Sequence, residues 1–217
     1  MARKFMIALV LILGVFGGAA IVLQPPKVAP EVIDASVIRS QSLLDRAWQL
    51  PVALQFGRDI AWQSNPSLCG AASLANAFRS LREEPDTEAE ALEGASGCWF
   101  GICPIGLTLD ELAELAQAHT QRKVTVLRDL TPEAFREILR DTNNPSHRYI
   151  VNFSRKAIFG AGVGHHSPLG GYLEDEDLVF VLDVNRNFQP WLIERSRLYA
   201  AIDTMDGNKR RGMLLIE

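Results

Sequence analysis

Positive charge is in short supply in this chain. Its 22 lysines and arginines stand against 26 acidic residues, for a net charge of −4. No basic stripe runs along any segment, which excludes the electrostatic footprint of a nucleic-acid binder. The one basic cluster, "NKRRG" at 208–212, is short and reads as local. Cysteine is scarce too: Cys69, Cys98 and Cys103 are all there is. None lies near the end of the apolar N-terminal run, which argues against a lipoprotein signal. His119 and His147 have no ligand partners at useful spacing, so no protein metal site is expected. Internal repeats are lacking as well. What remains is ordinary globular composition, 47% hydrophobic over 217 residues, enough to bury the core of one domain.

The only long apolar run is at the start. Arg3 and Lys4 precede an uncharged stretch from Phe5 to Leu23, close to the roughly 20 residues that span a hydrocarbon core. Two readings of residues 1–24 stay open: a signal peptide cleaved after Gly18-Ala19-Ala20, or an uncleaved anchor with its basic end in the cytoplasm. Either puts the rest of the chain outside the cytoplasm, in the periplasm or beyond. The proline-rich stretch that follows reads as an extended linker, residues 25–44, ahead of a globular domain at 45–217.

Within that domain helical signals come first. Leu74, Phe78 and Leu81 fall on one stripe after Cys69, which predicts a helix. Thr108 and Glu111 form a capping box ahead of "LAELAQAH", and Thr131-Pro132 opens a third helix. Short β-rich runs follow at 123–127, 148–154, 167–173, 178–184 and 212–216, separated by polar turns. Helices first and antiparallel strands later is an α+β arrangement. The glycine-rich segment 85–107 is irregular and is expected to flank a cleft.

In an exported chain an odd cysteine count points to one bridge plus one free thiol. Cys98 and Cys103 share a Gly-rich turn and are candidates for a disulfide; two reduced cysteines is the blander reading. Both leave Cys69 unpaired. If Asn65 caps a helix and Pro66 takes its first position, Cys69 lies in the first turn, where free N–H groups and the helix dipole favour a thiolate. Gly70 would then let a substrate come close. A nucleophilic cysteine needs a base, and the base an orienting group. "GVGHHSPLGGY" carries His165 and His166, "LVFVLDVNR" carries Asp183, and the acidic turn 174–177 folds one onto the other. Alternation lets only one of the two histidines face the cleft, without saying which. Gln63 could join the Cys69 N–H as an oxyanion hole.

Together "QSNPSLCGAASLANAF", "GHHSPLGGY", "LDVNR" and "KRRGMLLI" resemble, in order and spacing over 45–217, the catalytic domain of phytochelatin synthases, which are papain-like cysteine transpeptidases. The resemblance implies a papain-like cysteine peptidase fold, with Cys69 as nucleophile, His165 as base, Asp183 as its orienter and Gln63 as oxyanion donor. It selects His165 because the family's histidine directly follows the glycine. It also implies attack on the Cys–Gly bond of glutathione, or of a related γ-glutamyl thiol, through a γ-glutamylcysteinyl thioester that passes to water or to a second glutathione. Gly164, Arg186, Asp206 and Arg211 match positions expected to hold substrate carboxylates and amine.

The family's plant members carry a further cysteine-rich C-terminal domain, whereas this sequence ends at Glu217. The expectation is a single-domain, bacterial-type member in which hydrolysis predominates. No resident cofactor is expected; cadmium or zinc would enter as a thiolate complex of the substrate or as an activator. Expected partners are glutathione or a related thiol, and the membrane if the N-terminal run stays on; a homodimer is left open. Two other readings are a cysteine peptidase that processes bacteriocin leaders, against which the Ser-Pro-x-Gly-Gly-Tyr run argues, and a non-enzymatic thiol- or metal-binding module built on Cys98 and Cys103.

Overall fold

The computed structural model describes residues 27–98 and 101–217; the expected signal or anchor at 1–24 lies outside the described residues. Among the described residues no helix is long and apolar enough to cross a membrane.

The strand-forming runs assemble one sheet. Its strands are β1 (Val124–Leu127), β2 (Arg148–Ser154), β3 (Gly164–Leu173), β4 (Leu178–Val181), β5 (Trp191–Glu194) and β8 (Gly212–Ile216), with a separate ribbon of β6 (Met205–Asp206) and β7 (Lys209–Arg210). The order is β1-β8-β2-β3-β4-β5, antiparallel throughout. Strand β2 shows why helices cover both faces. Tyr149, Val151 and Phe153 point into one core, while Ile150 points into another, as the period of two requires. The first core is closed by α7 (Pro132–Asp141), α8 (Arg155–Phe159) and α9 (Arg195–Ile202). The second is closed by α4 (Cys69–Leu81), α5 (Glu88–Ala91) and α6 (Leu109–His119).

Local signals hold where expected. Thr108 accepts from Glu111 N, the Glu111 carboxylate accepts back from Thr108 N, and Thr131 caps α7 ahead of Pro132. Three readings change. The linker expected at 25–44 gives way to helices α1 (Pro30–Ser36) and α2 (Gln41–Ala47). Ile33 and Val37 are buried in the first core, and Ile38 bonds Leu192 of the outer strand β5 in both directions. This chain segment thus covers a sheet edge that would otherwise be bare, and the folded domain begins before residue 45. A further helix, α3 (Pro51–Phe56), packs with Trp48 against Phe180 and Leu182 in a third core. Strand β5 was not expected, and β4 stops at Val181 rather than at residue 184. Strand β3 starts at Gly164, which puts both histidines in the ladder.

A candidate cysteine–histidine–aspartate active site

Cys69 is the first residue of α4 and Leu68 its N-cap. Asn65 is not the cap. It closes the preceding turn, its Oδ1 accepting from Ser67 N at 3.0 Å and Ser67 Oγ at 2.7 Å. The electrostatic consequence for the thiol is unchanged, because the first N–H groups of a helix have no partners within it. Gly70 serves packing rather than substrate approach: a Cβ there would stand 3.1 Å from Leu112 and 3.2 Å from Leu107.

The β3–β4 hairpin delivers the other groups. A bulge between Leu169 and Gly171 shifts its register, and Gly171, at φ +126, takes a backbone conformation that L side chains rarely adopt. His165 Nε2 lies 3.0 Å from Asp183 Oδ1. The other histidine turns elsewhere: His166 Nδ1 is 3.8 Å from Cys69 Sγ, and its Nε2 meets Asn152 Nδ2 at 2.6 Å. Pairing explains the split, since His165 lies opposite Phe153 and His166 opposite Asn152 on β2. The ring that meets the thiol by hydrogen bond is His166, while His165, held on the carboxylate, acts on the same sulfur through its charge. Alternation separates the partners of the two rings.

The site is buried and lined with ionisable groups. Burial pushes the Cys69 thiol up, but the charge of His165, together with the hydrogen bond and charge of His166, holds it well below its ordinary 9.0. Burial and the Arg155 cation push His165 down, while Asp183 and Cys69 prevail and raise it above 6.5. The two directions both favour a thiolate–imidazolium pair over the neutral one. Burial also opposes ionisation of Asp183, yet Arg155, His165 and the Asn185 N–H hold that carboxyl far below 3.8. Arg155 Nη2 donates to both Asp183 oxygens at 2.8 and 2.9 Å, and Trp191 Nε1 donates to Oδ2 at 3.1 Å. Sequence reasoning missed Arg155 and Trp191. One opens a five-residue helix and the other sits on the unexpected strand, so no local pattern ties either to Asp183.

Gln63 is fixed at both ends. Its backbone N–H donates to Val184 O, and its Nε2 donates to Asn65 O at 2.8 Å, leaving the second amide hydrogen free of that bond. Of the residues expected to hold substrate, three converge. Arg211 donates to Asn152 Oδ1 at 2.7 Å and to Asp206 Oδ1 at 2.8 Å, with its guanidinium lying where a Cβ on Gly164 would stand, 2.2 Å from Nη1. Arg186 is exposed and has no side-chain hydrogen bond among the described residues, so it stands apart. Cys98 and Cys103 are disulfide-bonded and Cys69 is free. The disulfide loop docks beside the nucleophile's turn: Asn65 Nδ2 donates to Gly101 O, and Cys103 N to Ser67 Oγ.

Residues 23–213 match the family model described as phytochelatin synthase. The chain is 28% identical over 205 residues to glutathione gamma-glutamylcysteinyltransferase 1 of Arabidopsis thaliana, covering 87% of this chain and 42% of the relative. It is 26% identical over 172 residues to the Schizosaccharomyces pombe glutathione gamma-glutamylcysteinyltransferase, covering 71% of this chain and 41% of that one. The chain therefore spans less than half the length of these curated relatives. Among solved structures, the peptidase domain of Streptococcus ComA aligns with a TM-score of 0.51 at 14% identity, over 73% of this chain and 96% of that one. A Bacillus anthracis protein described as a C39-like peptidase aligns at 0.54 and 13% identity, over 75% and 95%. At such identities the likeness concerns the fold, which is that of papain-like cysteine peptidases.

Proposed function

The chain belongs to the phytochelatin synthase family, and from that membership we propose that it cleaves the Cys–Gly bond of glutathione, or of a related γ-glutamyl thiol, by covalent catalysis at Cys69. The observation that carries this is a buried free thiol at a helix start, with His166 Nδ1 3.8 Å from its sulfur and the adjacent His165 resting on a buried aspartate. Asp183 can only accept, so His165 Nε2 carries its proton there and Nδ1 is left for the thiol.

Cys69 Sγ attacks the carbonyl carbon of the Cys–Gly bond. The developing oxyanion takes hydrogen bonds from the Cys69 N–H and from Gln63 Nε2. Collapse breaks the C–N bond, and the leaving glycine nitrogen receives its proton from His165. The γ-glutamylcysteinyl thioester then passes to water, giving γ-glutamylcysteine, or to the amine of a second glutathione. Arg211 is the proposed partner of a substrate carboxylate and Asp206 of its amine, with Gly164 leaving room for the Arg211 guanidinium; Arg186 reaches substrate only from the rim. Cadmium or zinc takes part in this reading as a thiolate complex of the substrate or as an activator. The apolar N-terminal run argues for an extracytoplasmic location, and the Cys98–Cys103 bridge supports it.

The test is to incubate the full chain with glutathione, with and without cadmium or zinc, and to measure free glycine. Release is expected, with Cys69→Ala and His165→Ala each losing at least about a thousandfold. Activity should be bell-shaped in pH, because the productive pair needs Cys69 deprotonated and His165 protonated. No glycine under any condition, together with cutting of double-glycine leader peptides, overturns the proposal in favour of leader processing.

A further inference from the structure

Arg211 has only N–H donors, so the Asn152 atom facing it at 2.7 Å is the carbonyl Oδ1. That fixes the amide: Asn152 Nδ2 must face the other way, toward His166 Nε2 at 2.6 Å and Asp206 Oδ2 at 3.5 Å. The Asp206 carboxylate agrees, since it can only accept. With an amide N–H directed at it, His166 Nε2 is an acceptor, and the ring proton belongs on Nδ1. Nδ1 is the atom 3.8 Å from Cys69 Sγ. His165 is wired the opposite way, with Nε2 on a carboxylate.

We propose that His166 is locked by Asp206, Arg211 and Asn152 as an Nδ1–H donor to the Cys69 sulfur, stabilising it as an anion while His165 alone accepts and returns the proton. This rests on Cys69 being the acyl-carrying thiol and deepens that reading. Two histidines on adjacent residues thus divide one task, and the division is imposed by what each meets at its second nitrogen. The effect is largest when the acyl group leaves. Water attacks the thioester carbonyl and gives its proton to His165 Nδ1. The C–S bond breaks, and the electron pair settles on a sulfur already facing the His166 N–H. A stabilised thiolate is the better leaving group.

The charged and titratable groups around Cys69 are His165 and His166 on β3, Arg211 ahead of β8 with Asp206 on β6, and Asp183 with Arg155 behind His165. The first test uses unaltered full-length protein with 15N-labelled histidine, in which NMR reads which ring nitrogen bears hydrogen. His166 is expected to show protonated Nδ1 and bare Nε2; the reverse overturns the proposal. The second follows alkylation of Cys69 by iodoacetamide against pH. His166→Phe is expected to move the thiolate limb up by about one pH unit, tenfold less thiolate on its acid side, as loss of one hydrogen bond to a charged group implies. His166→Asn keeps an N–H near the Nδ1 position and should recover most of the shift. An unshifted His166→Phe profile overturns the inference. Alkylation needs no glutathione, so a shifted profile without glycine release leaves this inference standing and overturns the proposed function. Glycine release with an unshifted profile does the opposite.

Discussion

Asp183 is the most heavily bonded side chain of the site, accepting from His165, Arg155, Trp191 and the Asn185 N–H while fully buried. Because its folded pKa is depressed, the stability it supplies is complete above its ordinary value of 3.8 and is lost as pH falls below that toward the folded value. Asp183→Asn removes the titrating group and leaves Arg155 without its counter-ion. The variant should unfold more readily at pH 7, lose glycine release by about 10³- to 10⁴-fold through loss of the fixed tautomer, and show a flatter dependence of stability on pH below 3.8. Urea melts from pH 2 to 7 measure this, and an unchanged slope would contradict the assignment.

At the scale of elements, a helix cap and a buried arginine contribute very differently. Thr108 caps α6 at the surface, and Thr108→Ala should cost about 1 kcal/mol. Arg148 on β2 is fully buried among neutral acceptors: Ser80 Oγ and O on α4, Gln55 Oε1 on α3, and the carbonyls of Pro145 and His147. Arg148→Met leaves several of these unpaired at about 1–3 kcal/mol each, so its loss in urea denaturation should be at least twice that of Thr108→Ala. Equal losses would refute the claim that Arg148 ties the sheet to α3 and to α4, which carries Cys69. The contrast also explains legibility. The Thr108 cap was readable because both its partners lie within one turn. Arg148, bonded to residues 68 and 93 positions away, leaves no mark on any window of sequence.

For the whole molecule, the stretch expected as a linker is part of the fold. Removing residues 1–39 strips Ile33 and Val37 from the core and the Ile38 pairing from β5. The loss should be on the order of 3 kcal/mol from the two side chains alone, seen as a lower urea midpoint than that of a chain starting at residue 27; identical midpoints would return the segment to linker status. The sequence by itself determined the α+β order and the helix starts at Thr108 and Thr131, and it grouped Cys69, the His165–His166 pair and Asp183 without choosing between the histidines. Those depend on periodicity, capping chemistry and a hairpin turn, all interactions of short range. Only the tertiary structure decided that His166 stands 3.8 Å from the sulfur, that Arg155 and Trp191 hold the aspartate, and that Asn152 and Arg211 orient His166. Hydrogen-bond direction is set by what each group meets in space, and those partners come from strands and helices that the chain brings together only when it folds.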